Sequence, residues 1–319
     1  MKAKIAVLIS GRGSNMAALI YAARRADCGY EVARVASDKP DAPGLTLAAA
    51  EGVPVAELPP LTKDNQDAFY AALDAALSAA EIDTIALAGF MRILPASLVN
   101  AWAGRIVNIH PSLLPRYKGL GTHAAALAAG DSHAGCSVHI VTPALDDGPV
   151  LAQTPVAILP GDTPDALAAR VLIAEHQLYP RALESYVARE RNPEWLVAKV
   201  GEIAAALPEV EQTSSHGAPG WRVGGKAGKF FAYVSIRHHG EDAIALLVKT
   251  SGQDEMAALI DAEPELYYRP AYYGASGWIA IRLDTGRTDW AHIDAWLARS
   301  WRSVAPKRLT KMMDVADAF

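Results

Sequence analysis

The chain has 319 residues, of which 51% are hydrophobic and 20% are charged, and its formal net charge is -5. This composition excludes a strongly basic nucleic-acid-binding protein and a low-complexity disordered chain, and the length predicts two domains. The two cysteines, Cys28 and Cys136, lie far apart in the chain and form no metal-binding pair, which is typical of a reducing, cytoplasmic location. The apolar run at the start is too short for a signal peptide or a membrane span, so no membrane association is predicted.

Strands alternate with helices over the first part of the chain. Strands are predicted at 4–10, 30–37, 53–59, 83–89 and 105–111, followed by β segments at 135–142 and 149–158. Helices are predicted at 16–25, between the second and third strands, at 67–80 and at about 163–188. This alternation is typical of the α/β class with a doubly wound, mostly parallel sheet.

The charged segment "RERNPEW" at 189–195 predicts a domain boundary because Pro193 interrupts it. We therefore expect a first domain over residues 1–190 and a second over residues 195–319. The second part is richer in aromatic residues, and its apolar runs at 228–237, 243–250 and 277–283 predict antiparallel strands with flanking helices. A separate, smaller α+β domain is the expected architecture.

The first strand runs directly into the loop "SGRGSN", residues 10–15, which opens a helix. Glycines allow close backbone approach, and a helix N-terminus offers free N–H groups to an anion, so this loop predicts a phosphate site at Gly13, Ser14 and Asn15. The dinucleotide pattern is incomplete because Met16 stands where the third glycine belongs. A tight strand-to-helix turn without a ligand is the alternative interpretation.

Asn108 and His110 lie two residues apart near the end of the strand predicted at 105–111, so they project to the same face, and Asp146 lies in a loop after a later strand. Open α/β sheets bind their ligands at the carboxyl ends of strands, so the three residues are candidates for one site. Together they suit acyl transfer to an amine, since an amide can donate to an oxyanion while an imidazole and a carboxylate move protons. Separately, each has a structural explanation as a backbone bridge, a hydrogen-bonded core histidine or a turn cap. No activated serine or cysteine pattern is evident, and the spacing of the histidines matches no standard metal site, so no metal is predicted.

Five segments resemble the phosphoribosylglycinamide formyltransferases, which are folate-dependent enzymes of purine synthesis. They are "LISGRGSN", "LAGFMRILP" from Leu87, "NIHPSLLPRYKGLGTH" from Asn108, "SVHIVTPALDDGPVLAQ" from Ser137 and "EHQLYP" from Glu175. The resemblance covers about residues 2–188 and implies the formyltransferase fold, Rossmann-like in its first half. It implies formyl transfer from 10-formyltetrahydrofolate, as cosubstrate, to the amine of the glycinamide nucleotide through a tetrahedral intermediate.

The resemblance also implies three groups of site residues. The catalytic group is Asn108, His110 and Asp146. The group that binds the nucleotide phosphate and ribose is Arg12, Gly13, Ser14, Asn15 and Glu175. The group that borders the folate is Met91, Arg92, Ile93, Leu94, Val141, Asp146 and Asp147. One position departs from the family, because Gly121 stands where a histidine is common, which puts a local substrate or folate contact in doubt.

Other functions share the same three polar residues. Methionyl-tRNA formyltransferase and formyltetrahydrofolate hydrolase look similar around them, but the first would not need the loop at 10–15 for a monophosphate. The second would predict a further domain before the first strand. A nucleotide or folate sensor without activity would be expected to lack one of the three residues. We read Arg116 and Lys118 as solvated surface charges, with an anion contact as the alternative.

The second part of the chain resembles the MmcQ/YjbR family, which has a CyaY-like α/β fold. The segments concerned are "LPEVEQTSSHGAPGWRVGGK", "YYRPAYYGASGWIAIRL" and "SWRSVAPKRL". The resemblance implies DNA binding as one function, through a surface of basic residues with nearby Trp and Tyr side chains. The basic residues are Arg222, Lys226, Arg302, Lys307 and Arg308. Because the charges of this part are nearly balanced, we favour an accessory domain, small-molecule substrates and no nucleic-acid partner. The oligomeric state stays open, with a homodimer as one alternative.

Overall fold

The computed structural model describes residues 2–215, 217–237, 241–286 and 288–316, without the side chains of the last two. The chain divides into two compact units, Met1–Val187 and Ala188–Phe319. Among the helices of these described ranges, none is both long enough and apolar enough to cross a membrane.

The first unit is an α/β layer structure around one sheet. Its strands are β1 Ala3–Ile9, β2 Tyr30–Ser37, β3 Thr84–Leu87, β4 Ile106–His110, β5 His133–Ile140 and β6 Val150–Ala157. Its helices are α1 Ser14–Ala23, α2 Pro43–Ala50, α3 Gln66–Ala79, α4 Ala96–Ala101, α5 Thr122–Ala128 and α6 Pro164–Ala188. The strand order is β2-β1-β3-β4-β5-β6, in which only the β4–β5 and β5–β6 pairs are antiparallel. The prediction of a mostly parallel, doubly wound sheet is confirmed.

Both faces of the sheet are buried, which explains the continuous apolar run in β1. Ile5, Val7 and Ile9 pack into one hydrophobic cluster, and the alternate residues Ala6 and Leu8 pack into another on the opposite face. Helix α6 lies against this sheet, and its Thr163 cap accepts a hydrogen bond from the Ala166 N–H. The buried Tyr179 hydroxyl of α6 lies 3.0 Å from the carbonyl oxygens of Leu87, the last residue of β3, and of Val107, the second residue of β4.

The strand predicted at 53–59 is not formed. Only a single parallel bridge joins Val35 to Val55, with Val35 N–H donating to the Pro54 carbonyl and Ala56 N–H donating to the Val35 carbonyl. Proline has no N–H to donate to a ladder, and this stretch carries Pro54 at one end and Pro59 at the other. The prolines therefore restrict the segment to an edge contact with β2.

At one edge of the sheet, β1, β3 and β4 end side by side. These three strands are adjacent and parallel, so the loops that follow them lie together. Ser10, at the end of β1, accepts a hydrogen bond from the Met91 N–H at 2.8 Å through its hydroxyl. The Ser10 N–H donates to the Gly89 carbonyl at 3.1 Å, so the first loop and the loop after β3 are tied directly.

The second unit is an α+β structure around an antiparallel sheet. Its strands are β7 Val210–Ser215, β8 Ala218–Val223, β9 Lys229–Ile236, β10 Ile244–Lys249, β11 Tyr267–Tyr268 and β12 Trp278–Arg282, in the order β11-β12-β10-β9-β8-β7. Its helices are α7 Pro193–Ala204, α8 Gln253–Ala262, α9 Trp290–Val304 and α10 Lys307–Ala316. Pro193 begins α7 rather than only ending the preceding segment, and the Asn192 side chain caps this helix by accepting from the Trp195 N–H. His216 of the quoted segments and residues 317–319 lie outside the described residues.

The basic residues proposed for DNA binding are largely engaged by carboxylates. Arg222 pairs with Glu211, Arg308 with Glu209 and Arg302 with Asp314, at 3.0, 2.5 and 2.5 Å. An arginine already paired with a carboxylate adds little net positive charge for a phosphate backbone. This arrangement favours the accessory interpretation of the second unit.

Candidate active site

A cavity of about 1040 Å³ opens at the carboxyl edge of the first sheet. Asn108 and His110 line it from the carboxyl half of β4, because residues two apart in a strand project to the same side. Asp146 lines it from the loop between β5 and β6. The structure thus brings Asp146, from a later loop, to the two residues that share one face of β4.

His110 and Asp146 form the charged part of this group. Nδ1 of His110 lies 3.3 Å from Oδ2 of Asp146, and both side chains are largely buried. The other ring nitrogen, Nε2, donates to the Tyr117 carbonyl at 2.9 Å, since a carbonyl oxygen only accepts. The Asp146 carboxylate also accepts from the Gly119 N–H at 2.9 Å. An imidazole and a carboxylate are therefore held within proton-exchange distance at the cavity wall.

Asp146 owes its direction to an unusual backbone conformation. Its φ angle is +46°, in the left-handed region that aspartate and asparagine tolerate better than most residues. The following Gly148 packs so closely on Ile140 that a Cβ there would lie 1.8 Å from the carbonyl oxygen of that residue. The "DDGP" sequence is thus suited to the tight turn that directs the carboxylate toward β4.

His139 is a site residue that the sequence argument missed. It lies opposite Asn108 in the β4–β5 register, and its Nε2 is 3.1 Å from Asn108 Nδ2 and 3.5 Å from Asp146 Oδ1. Burial lowers the pKa of this ring, although the nearby Ile140 carbonyl and Asp146 act in the opposite direction. The antiparallel pairing of β4 with β5 is the signal that would have found it.

A further histidine, His123, lines the same cavity from helix α5. Its Nδ1 is buried and has no hydrogen-bond partner among the described residues. Burial lowers the pKa of His123, and the neighbouring His110 lowers it further. Within the same described ranges, no group of three or more His, Cys, Asp or Glu side chains has the arrangement of a metal site.

The predicted phosphate loop adopts the backbone that such a site needs. Gly13 is the N-cap of α1 with φ +75°, and a Cβ at this position would lie 3.2 Å from the Gly44 Cα. Among the residues that the structure describes, no side chain caps α1, so the N–H groups of its first turn, which begins at Ser14, have no side-chain acceptor. Arg12 and Ser14 are exposed, whereas Asn15 is buried.

Asn15 and Glu175 meet beneath this loop. Asn15 Nδ2 donates to Glu175 Oε2 at 2.6 Å, and Asn15 Oδ1 is buried without a partner among the described residues. Burial raises the pKa of Glu175, while the bond from Asn15 opposes this effect. Neither residue lines the large cavity, so the loop and the cavity are two adjacent parts of one sheet edge.

Replacing Glu175 with glutamine tests this buried carboxyl. Because the pKa of Glu175 is raised in the folded state, the native protein binds more protons than the unfolded chain. Glu175 therefore makes stability fall as the pH rises from the unfolded pKa of about 4.5 through the raised value. We therefore expect the free energy of unfolding of Glu175→Gln, relative to wild type, to increase with pH in that window. Urea unfolding at a series of pH values measures this, with the exposed Glu57→Gln as control. A relative stability that fell with pH would contradict the raised pKa.

The residues expected at the folate are divided between the cavity and the surface. Met91, Arg92, Ile93, Leu94 and Val141 line the cavity together with Asp146. Asp147 does not, because its exposed side chain pairs with Lys118, and this contact lowers the pKa of Asp147. Arg116 likewise pairs with Asp131 at 2.8 Å, in line with its interpretation as a surface charge.

On the cavity wall, an ion pair holds the side chain of Arg92, and Gly121 has a left-handed backbone. Arg92 donates through Nε to the buried carboxylate of Asp38 at 2.8 Å. Gly121 is the left-handed N-cap of α5, with φ +73°, and a Cβ there would meet no atom within 4 Å. With glycine rather than the family's common histidine at position 121, there is open space beside the cavity. The left-handed backbone at this position also favours glycine.

The loop that follows β4 is held by a buried serine of β5. The Ser137 hydroxyl donates to the Ser112 carbonyl at 2.6 Å and accepts from the Leu114 N–H at 3.0 Å and from Gln153 Nε2 at 2.8 Å. Gln153 also donates to the Leu114 carbonyl at 2.8 Å. The loop at 111–117 thus owes its shape to side chains of the two antiparallel strands.

Replacing Ser137 with alanine is expected to lower the free energy of unfolding by about 1–3 kcal/mol, because buried donors and acceptors of the loop lose their partner. Chemical denaturation measures this change. The exposed neighbour Ser132→Ala is the control and should change stability by less than about 0.5 kcal/mol. Equal effects of the two substitutions would show that Ser137 does not hold the loop.

Comparison with known proteins finds a matching sequence-family model in each unit. The model described as formyl transferase matches residues 3–183, and the model described as YjbR matches residues 205–303. Phosphoribosylglycinamide formyltransferase of Escherichia coli is 42% identical over 196 residues, which are 60% of this chain and 92% of that protein. The trifunctional purine biosynthetic protein adenosine-3 of Drosophila melanogaster is 45% identical over 186 residues, or 58% of this chain, which spans only 14% of its length.

A solved structure shows the same fold in the first unit. The crystal structure of phosphoribosylglycinamide formyltransferase from Brucella melitensis is 47% identical, with a TM-score of 0.55, and the match covers 58% of this chain and 96% of that one. The matched residues 3–183 contain the whole six-stranded sheet of the first unit. They also contain Asn108, His110 and Asp146, which line its cavity. The chain therefore belongs to the formyl transferase family, and its second unit carries a YjbR segment.

Proposed function

We propose that the first unit transfers a formyl group from 10-formyltetrahydrofolate to the amine of 5'-phosphoribosylglycinamide, giving the formylated nucleotide and tetrahydrofolate in purine biosynthesis. The observation that carries this proposal is the meeting of Asn108, His110 and Asp146 on one cavity wall in a formyl transferase chain. The relatives named phosphoribosylglycinamide formyltransferase support the choice of substrate.

The reaction needs one new bond, one broken bond and one transferred proton. The neutral amine nitrogen bonds to the formyl carbon, and the oxygen of the tetrahedral intermediate is stabilised by the Asn108 amide and His110. The intermediate then releases the folate nitrogen, which receives a proton as the amine nitrogen loses one. His110 and Asp146 carry this proton between the two nitrogens, directly or through water.

The two parts of the sheet edge divide the substrates between them. The phosphate is assigned to the first turn of α1 with Arg12, Gly13, Ser14 and Asn15, and the ribose to Glu175. The folate is assigned to the cavity, where residues 91–94, Val141 and Asp146 supply apolar and polar contacts. Asp147 contributes to this assignment through its backbone, since its side chain is engaged by Lys118.

An assay with purified protein tests the proposal. The protein is incubated with the glycinamide nucleotide and a 10-formylfolate donor, and release of the formyl group is followed spectroscopically. Release that depends on the nucleotide is the expected result. Equal release without the nucleotide would instead indicate a hydrolase, and transfer only to initiator tRNA would indicate a tRNA formyltransferase.

Domain bounds, partners and cellular location complete the proposal. We assign domains to residues 1–190 and 195–319, which is supported by the division of the chain at Ala188. The carboxylate-paired arginines of the second unit argue against nucleic acid as a partner, and the relatives named phosphoribosylglycinamide formyltransferase support small-molecule substrates. Cys28 and Cys136 are both free and buried, in accord with a cytoplasmic location.

A further inference from the structure

The side-chain amide of Asn108 has a partner that the proposed mechanism leaves unused. His139 lies directly opposite Asn108 in the β4–β5 pairing, and its ring is only 2% exposed. Nε2 of the ring is 3.1 Å from Asn108 Nδ2. If Nε2 accepts a hydrogen bond, the NH2 end of the amide faces His139. If Nε2 donates one, the carbonyl end faces it.

The other ring nitrogen determines that direction. Nδ1 of His139 lies 3.0 Å from the Ile140 carbonyl oxygen, which can only accept, so Nδ1 carries the hydrogen. In the neutral ring Nε2 is then an acceptor, and Asn108 Nδ2 donates to it. One N–H of the amide is thereby used, and the second stays available at the cavity wall, which Asn108 lines.

We infer that His139 is a positioning residue, which as a neutral ring holds the Asn108 amide with its remaining N–H toward the formyl oxygen. This inference rests on the proposed function, because the oxygen concerned is that of the transferred group. His139 itself does not exchange a proton with substrate. It excludes the flipped amide, whose carbonyl oxygen would face the developing negative charge and raise the barrier.

The charged neighbours of His139 make its protonation state decisive. Asp146 approaches Nε2 at 3.5 Å from the β5–β6 loop, and His110 faces it from β4. A proton on Nε2 would replace the Asn108 bond with an ion pair to Asp146 and release the amide. Burial opposes this by lowering the pKa of His139, against the opposite effects of the Ile140 carbonyl and Asp146, and the neighbouring His110 adds the smallest contribution, which also lowers it.

Kinetics of five variants, one of them the Asn108→Leu background, test the inference. His139→Leu removes the acceptor and is expected to lower kcat about 10- to 100-fold, with KM for both substrates within about twofold of wild type. His139→Gln offers a carbonyl oxygen at a similar distance and should recover most of the lost kcat. In an Asn108→Leu background, His139→Leu should cause no further loss, because the histidine acts only through the amide. His133→Leu, at the exposed start of the same strand, is the matched control and should leave kcat unchanged.

The 15N spectrum of the wild-type protein tests the proton position without relying on turnover. The expected spectrum at neutral pH has a protonated Nδ1 and an unprotonated Nε2 for His139. A protonated Nε2, or additive losses in the double variant, would overturn the inference. If wild type transfers the formyl group and His139→Leu equals it, only this inference fails, whereas absence of transfer by wild type overturns the proposed function and the role of His139 with it.

Discussion

Replacement of Asp146 by asparagine is expected to lower kcat by about 10²- to 10⁴-fold, the range usually attributed to a general acid or base. Asparagine preserves the shape of the side chain, tolerates the left-handed backbone at this position and can still accept from the Gly119 N–H. It cannot accept the proton that the amine must lose or pair with a charged His110. The loss should therefore be in turnover rather than in folding, with the melting temperature nearly unchanged. Steady-state kinetics and thermal denaturation measure the two effects.

Asp27→Asn is the control for this substitution, because it removes the same charge from an exposed position on the first unit. It should leave both kcat and the melting temperature unchanged. Formyl transfer by Asp146→Asn at a rate near that of wild type would remove Asp146 from the mechanism. A large loss of stability would mean that its principal role is to hold the loop at 119 rather than to exchange a proton.

The second large effect is expected at Asn108, where leucine removes the amide with little change in volume. Loss of one donor to an oxyanion typically lowers kcat about 10²- to 10³-fold. KM for the nucleotide should change little, because the phosphate and ribose are assigned to the loop at 10–15 and to Glu175, which do not line the cavity. Kinetics with each substrate varied in turn measure this separation of kcat from KM.

Asn100→Leu provides the matched control for Asn108→Leu, since it makes the same replacement on the exposed face of α4. Its kcat should equal that of wild type. If Asn108→Leu changed KM rather than kcat, the amide would bind the substrate in its ground state and would not stabilise the intermediate. If neither constant changed, Asn108 would have only a structural role.

The accuracy of the strand predictions depended on whether local sequence was sufficient to define the element. The continuous apolar runs of β1 and β3 were recognisable because both faces of a parallel strand are buried there. The run at 53–59 looked similar but lacks donors at its prolines, and it forms only one bridge to Val35. In the second unit, the sequence predicted β9, β10 and β12, whereas β7, β8 and β11 were not recognised, because the polar β7 and the two-residue β11 show little apolar pattern.

The same distinction applies to the site. Asn108 and His110 could be placed on one face of a strand from their spacing alone, and the glycines of the first loop indicated its conformation. His139 and Ser137 could not be assigned, since their importance depends on the register between β4 and β5, which joins residues about thirty positions apart. Asp147 was expected at the folate from the resemblance, whereas Lys118 pairs with its exposed side chain at the surface.

The amino-acid sequence by itself determined the α/β class, the positions of most strands along the chain and the residue types available near the strand ends. It could do so because apolar periodicity and the positions of glycine and proline act over a few neighbouring residues. Only the tertiary structure decided which of those residues meet. The contact between His110 and Asp146, the Asn108–His139 hydrogen bond and the anchoring of the loop by Ser137 all arise from the side-by-side packing of β4 and β5. Long-range register brings together groups far apart in the chain, and no local pattern encodes that register.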